Sequence, residues 1–335
     1  MKPKYIWFTG RNNFTLYAGL PLLLLSVLPF ATSNTYFIYL MSLTFLFSAV
    51  AVNLDIMLGR LGMFTFGHAA VFGAGGYTSA LLAKYFGFPV PLSIVAGGLA
   101  ACLICLPIGL VGLRLHGAYF AIATLAMSEI LRLIYLRILD QWTYGESGLW
   151  GIDPLPDLAL GNVVIKFSTS ITAQYFLFLG LMLLNILFFY KLLQTRMGLF
   201  FTAIREDELA AKSLSIDTIK YKLIGFLLSS FFTGLAGAVY AHWLGTFSPA
   251  LMSIPQTVFF IAIVLIGGVR TTIGPIIGSF ISVIILEFLK YSGYHFIIFS
   301  ILIIVITFLF PGGVVGSFKE LFFQKYSQVK SQDKQ

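Results

Sequence analysis

The side chains of this sequence that could do chemistry are few and scattered. Cys102 and Cys105 form a C-x-x-C, a spacing able to exchange disulfides or hold zinc, but they lie in an apolar run without a further ligand type. Two small core residues is the better reading of them. His68, His116, His242 and His295 are spread over different depths and show no metal-ligand spacing. No Gly-x-x-x-x-Gly-Lys-Ser/Thr phosphate loop occurs, so nucleotide hydrolysis would have to come from another chain. Glu129 stands out. It lies midway along an apolar stretch, with Arg132 at ion-pair spacing and Arg137 beyond on the same helix. An acid at membrane depth either holds a structural pair against another helix or meets cargo, and the sequence leaves both open. Glu287 beside Lys290 near the end of a span needs only snorkelling.

The elements that must position these residues follow from composition. With 59% hydrophobic and 10% charged residues and a mean hydropathy of +0.93, the chain is an integral membrane protein. The net charge of +8 then belongs to basic loops and tails and does not imply nucleic acid binding. Apolar stretches fall near 15–30, 36–58, 62–83, 90–113, 117–139, 172–193, 221–244, 253–269, 273–290 and 295–310. The expected fold is therefore an all-α polytopic membrane protein of about ten transmembrane helices. Several stretches are shorter than the roughly 20 residues a straight crossing needs, so tilted or broken helices are expected among them.

Charge sets the orientation. Residues 1–14, with Lys2, Lys4 and Arg11, form a cytoplasmic segment before a retained first helix. The transmembrane domain covers 15–310. Within it, 194–220 is a basic cytoplasmic loop and 140–171, with Asp140, Glu146, Asp153 and Asp157 against Lys166, is extracytoplasmic. A basic cytoplasmic tail occupies 311–335.

Two stretches are too rich in glycine for plain lipid-facing helices. In Gly59 to Ala80, Ala69 and Gly73, then Ala70, Ala74 and Thr78, recur every four residues, which lets helix backbones approach closely. In Ile266 to Gly278, Gly267 and Gly268 can break a helix that Gly274-Pro275 restarts. Both read as broken helices beside a path, in corresponding places of two inverted five-helix repeats. After the cytoplasmic loop, Ser229, Thr233, Gly237 and Ala241, with Ser230, Gly234 and Ala238, give one helix two small-residue rows.

In the cytoplasmic loop, Ala203 to Asp217 reads as one short charged helix. Thr202 is the expected N-cap, Glu206, Asp207 and Glu208 place negative charge near the N-terminus, and Glu208 precedes Lys212 by four residues. Ile204, Leu209, Ala210, Ala211 and Leu214 remain to touch another surface.

Glu208-Leu209-Ala210-Ala211 followed by Ser215 resembles the coupling motif of ABC importer permeases, in which glycine usually stands at the position of Ser215. The likeness widens with Gly67-His68-Ala69-Ala70, Gly73, Tyr77-Thr78, Gly117 to Thr124 with Glu129, Gly145 to Ile152, Gly234 to Tyr240, Ser248-Pro249 and Ile266 to Gly278. These segments, in order from about Asn53 to Gly278, resemble permeases of the branched-chain amino-acid ABC importer family, the high-affinity leucine, isoleucine and valine type.

The resemblance implies a multi-pass subunit of the bacterial cytoplasmic (inner) membrane without an enzyme activity or bound cofactor of its own. It would be embedded in membrane lipid and work with a second homologous permease, two cytoplasmic ATPases that hydrolyse ATP, and an extracytoplasmic substrate-binding protein. Arg205, Glu206, Asp207, Glu208, Ala210, Ala211 and Ser215 would form the ATPase-coupling surface. A zwitterionic cargo needs polar groups along its route, which points to Thr65, His68, Tyr77, Tyr119, Thr124 and Glu129, with the break at Gly267, Gly268 and Gly274. Permeases of the same type carry urea, short amides or other amino acids. An ion-coupled secondary transporter is the alternative of a different class, and would need ionisable groups in more helices than Glu129 and His68 supply. Cysteines introduced at Ser147 and Ser213 are expected to react from opposite sides of the membrane; labelling from one side would overturn this topology.

Overall fold

The computed structural model describes residues 25–32, 34–113, 115, 117–160, 163–271, 273–290, 293–310 and 312–317. The expected segment 1–14, most of the first span, the tail from 318 and His116 lie outside them. The helices are α1 Thr35–Asp55, α2 His68–Phe86, α3 Val90–Gly112, α4 Ala118–Leu133, α5 Asp140–Thr143, α6 Ile171–Gln194, α7 Arg196–Glu206, α8 Glu208–Ser213, α9 Thr218–Leu244, α10 Ile254–Gly267, α11 Gly274–Leu289 and α12 His295–Leu309. Five-residue π-helical turns extend α1 through Ile56–Arg60 and α4 through Ile134–Ile138.

Among the described residues six helices are long and apolar enough to cross a membrane: Thr35–Arg60, Val90–Gly112, Ala118–Ile138, Ile171–Gln194, Thr218–Leu244 and Ile297–Ser317. Ile254–Gly267 and Gly274–Leu289 are shorter apolar helices, and α2 is rich in small residues. The chain is thus an all-α polytopic membrane protein. Its few strands lie in the connections: β1 Leu149–Trp150 pairs antiparallel with β4 Thr246–Phe247, and β2 Leu158–Leu160 with β3 Val163–Ile165.

Small residues set the centre of the bundle. A Cβ on Gly75 would stand 2.3 Å from the carbonyl oxygen of Gly234, one on Gly237 1.9 Å from that of Phe72, and one on Gly97 2.5 Å from that of Gly75. Helices α2, α3 and α9 therefore meet backbone to backbone. In a lipid environment, where apolar side chains gain little by leaving the solvent, such close van der Waals contact is the main attraction between helices. Ser229, Ser230, Thr233, Gly234, Gly237, Ala238 and Ala241, the two rows anticipated on α9, are all buried. Around α1 the packing is aromatic instead, with Phe45 against Tyr175 and Phe280, and Phe47 against Phe259 and Phe260.

Two irregular stretches interrupt this bundle. Residues 61–67 join the π-turn after α1 to α2, and residues 245–253 join α9 to α10. The second opens with Gly245 at φ +68°, where a left-handed residue ends α9, and reaches back until Met252 packs over Gly73. Gly267, Gly268 and Gly274 stand where α10 ends and α11 begins, in a tight turn where a Cβ on Gly267 would lie 1.8 Å from the Gly274 carbonyl oxygen. Gly267 and Gly268 thus end α10 and Gly274-Pro275 opens α11, as expected, and a further irregular stretch precedes α10.

Replacing Gly75 by valine is expected to force α2 from α9 and cost about 1–3 kcal/mol or more. Size-exclusion profiles and thermal midpoints in detergent check this, and a wild-type midpoint would contradict the packing.

Candidate coupling surface and transport path

The charged segment expected as one helix is two. Helix α7 ends at Glu206, and Asp207, at φ −157° and ψ 110°, starts α8 by accepting from the backbone N–H groups of Leu209 at 2.9 Å and Ala210 at 3.0 Å. Asp207 is therefore the N-cap. Thr202 lies inside α7, where its hydroxyl donates to the Gly198 carbonyl at 2.9 Å. Ser215 adopts φ +61°, the left-handed conformation for which glycine is the low-strain choice.

Glu208 anchors α8 to the bundle. Its carboxylate lies 3.1 Å from Lys212 Nζ, the pairing expected from spacing, and 2.5 Å from Lys222 Nζ, and it accepts from Thr218 Oγ1 at 3.1 Å. Burial pushes this carboxyl up, but hydrogen bonds from Lys222 and Lys212, together with their charges, outweigh burial and hold it down at about 2. A depressed carboxyl contributes stability above its unfolded range, and that contribution is lost as pH falls toward 2. The anchor is intact at neutral pH. Lys222, only 4% exposed, was not anticipated as a partner of Glu208; its signal is a lysine one turn into a mostly apolar helix.

The anchoring decides which side chains face out. Leu209 and Leu214 are 75% and 74% exposed, and Ala210 is exposed beside them. Ala211 and Ile204 are buried against the permease itself, so they are not part of the free face. Glu206 is exposed and ion-pairs with Arg205, whose Nη1 donates to the Gly59 carbonyl at 3.2 Å.

The break at 61–67 gathers several of the expected path residues. Leu61, Met63 and Thr65 point inward while Gly62 and Phe64 are exposed, an alternation that gives this extended segment an inner and an outer face. Thr124 Oγ1 accepts from the Phe66 N–H at 3.1 Å, and Thr65 Oγ1 from the Gly67 N–H at 3.2 Å. At the start of α2, His68 Nε2 lies 2.7 Å from Ser229 Oγ, which donates to the Asn53 carbonyl at 2.7 Å; Asn53 Nδ2 donates to Thr233. A small cavity lined by Gly67, Ala70, Thr124, Ser128 and Phe226 adjoins the break, with room for about one water.

Other expected path residues lie apart. Tyr77 is buried, stacked on Tyr135 with ring centroids 4.7 Å apart. Tyr119 is 72% exposed near the start of α4. Glu129 and Arg132 form the expected pair, 2.5 Å apart, with side chains 35% and 26% exposed beside an outward row that includes Ile122 and Ile130. Glu287 pairs with Lys290 at 3.5 Å and accepts from the Tyr36 hydroxyl. Among the described residues no three His, Cys, Asp or Glu side chains gather as metal ligands. His242 instead bridges Ser79 Oγ, at 2.9 Å, and the Asp153 carbonyl, at 2.7 Å.

Comparison with known proteins agrees with this architecture. The chain is 29% identical over 293 residues to the high-affinity branched-chain amino acid transport system permease protein LivM of Escherichia coli (strain K12), covering 82% of this chain and 68% of that protein. It is 27% identical over 310 residues to LivM of Salmonella typhimurium, covering 87% and 72%. A nucleoside ABC transporter permease protein, NupC of Lactococcus lactis subsp. cremoris, is 27% identical over 201 residues, 56% of this chain and 62% of that protein. No solved structure matches. The family described as branched-chain amino acid transport system, permease component, matches residues 36–310, and the chain belongs to that family.

Proposed function

We propose that this chain is the membrane-spanning permease of an ATP-driven importer for branched-chain amino acids. It would be set in a bacterial cytoplasmic membrane and paired with a second permease, two ATPases and an extracytoplasmic binding protein. The observation that carries the proposal beyond family membership is α8. Two leucines about three-quarters exposed, one on a short, charged helix and one at its C-terminal end, stand outside the apolar bundle on a segment pinned to it by Glu208 and Lys222. An apolar face held rigid in this way suits a groove on a soluble partner. Hydrolysis then takes place in that partner. The family sets aside an ion-coupled carrier. Cargo within the family is less fixed, since a nucleoside permease is among the relatives.

The path is assigned to the outer face of residues 61–67 and of α4. A charged pair midway along an apolar helix costs at least ~2.5 kcal/mol per group at the bilayer centre, so the partly exposed Glu129 and Arg132 favour a neighbour of protein or water over lipid. The second permease, set against this face, would close the path, with Glu129 supplying a charge for a zwitterion, while Thr65, His68 and Thr124, buried behind it, hold the break in shape. Arg132 then holds the Glu129 carboxylate ready for a cargo ammonium.

Ala210→Trp is expected to weaken ATPase binding at least about tenfold, because the indole cannot seat in a groove shaped for a methyl group. Ala211→Trp is expected to disturb the permease fold instead, since Ala211 faces inward. Pull-down of the ATPase with each purified variant distinguishes the two, and undiminished capture by the Ala210 variant would end the docking assignment. Glu129→Gln is expected to reduce uptake into proteoliposomes about tenfold with assembly and thermal midpoint retained. A lowered midpoint with normal uptake per assembled complex would make Glu129 purely structural.

A further inference from the structure

Asp55 ends α1, and three segments meet at its carboxylate. It is 4% exposed. Oδ1 accepts from the backbone N–H of Arg270, in the α10–α11 turn, at 2.9 Å, and Oδ2 lies 3.8 Å from Arg60 Nε in the π-turn. The π-turn is closed over this group: a Cβ on Gly59 would stand 2.1 Å from Asp55 Oδ1 and 2.9 Å from the Arg270 nitrogen. The same turn is held from the other side by Arg205, which donates to the Gly59 carbonyl at 3.2 Å. A Cβ on Gly62 would lie 2.6 Å from Arg205 Cγ. The last turn of α7, the π-turn and the α10–α11 turn are therefore joined end to end.

The joint ties three segments at one point. The π-turn has i→i+5 hydrogen bonding, with Leu61 N–H donating to the Ile56 carbonyl at 3.0 Å, a geometry rare within helices and frequent at functional sites. It leads directly into the break at 61–67. Arg270 sits at φ +71°, a conformation that a non-glycine residue keeps only when its surroundings hold it there, and the Asp55 carboxylate holds its N–H.

We infer that Asp55 is the positioning residue that makes the α10–α11 turn follow when a displacement of α7 and α8 moves the π-turn and the break at 61–67. This rests on the reading that α8 docks an ATPase. When the ATPases pull on α8, Arg205 carries the π-turn with it. Asp55 then obliges the α10–α11 turn to follow, so that both irregular parts of the bundle change in one step. Without the carboxylate, α8 can move while the α10–α11 turn stays behind.

The test uses the whole importer, with both permeases, the ATPases and the binding protein, reconstituted in proteoliposomes. Transport and ATP hydrolysis are measured on the same preparation with Asp55→Ala and Asp55→Asn; the second keeps an oxygen to accept from Arg270 but removes the charge. The Ala variant is expected to assemble with its ATPases and hydrolyse ATP, but to move about tenfold less cargo per ATP, and the Asn variant to lose less. A purely structural defect lowers transport and hydrolysis together and leaves their ratio unchanged. Wild-type cargo per ATP in the Ala variant overturns the inference. If the Ala variant does not assemble, a wild-type ratio in the Asn variant does so, and failure of both to assemble makes Asp55 a folding residue and overturns it as well. Failure of the docking reading is separate: it is seen in the Ala210→Trp capture experiment, with Asp55 intact.

Discussion

Backbone that leaves helical geometry inside an apolar bundle must find new partners for its N–H and C=O groups, because each one left unsatisfied costs several kcal/mol. The stretch 61–67 meets this demand with two threonine hydroxyls, Thr65 and Thr124, that accept from the N–H groups of Gly67 and Phe66. Once those bonds are fixed, α2 must start at His68, deep enough for its imidazole to meet Ser229 on α9. The glycine contacts above it follow from that start. Gly75 and Gly237 let the two helices rise side by side at backbone contact, and Gly97 admits α3 to the same seam. The break and the seam are one construction.

Polar groups hold the rest of the design in register. Glu208 with Lys212 and Lys222 fixes α8, the carboxylate of Asp55 fixes the π-turn, and Glu287 with Tyr36 and Lys290 fixes the far end of α11. Each lies at or beyond the end of a long helix, where one misplaced turn would be felt along the whole span. Glu129 and Arg132 are different. They lie in mid-span on a partly exposed face, and no described residue covers them fully.

Much of this was legible in the sequence, for identifiable reasons. Composition alone dictated the polytopic helical class, and the small-residue rows on α9 pointed to close packing because size every four residues is a one-dimensional property. The pairs Glu208–Lys212 and Glu129–Arg132 could be read from spacing on one helix. Partners from distant helices could not. Lys222 on Glu208 and the Arg270 amide on Asp55 depend on how segments cross in space. The split of the coupling segment at Asp207 was missed because a helical pattern continues through it; the capping carboxylate, a short polar side chain at the right place, was the available sign. The glycines at 267, 268 and 274 marked the end of α10 and the start of α11 because glycine and Gly-Pro punctuate helices locally, while the further irregular stretch before α10, marked by Gly245 and Ser248-Pro249, was not read as a break.

The seam between α2, α3 and α9 joins parts of the chain made at very different times. The first two helices enter the membrane more than a hundred residues before α9 is synthesised, and until then their glycine faces lack the helix they fit. His68 waits in the same interval for Ser229, and Asn53 for Thr233. The nascent protein thus carries a narrow polar groove open to its surroundings through much of its synthesis. Its lifetime is set by translation of the loop and helices between, so the speed of the ribosome over residues 113 to 218 governs how long an intruding lipid or a foreign helix can occupy the place of α9.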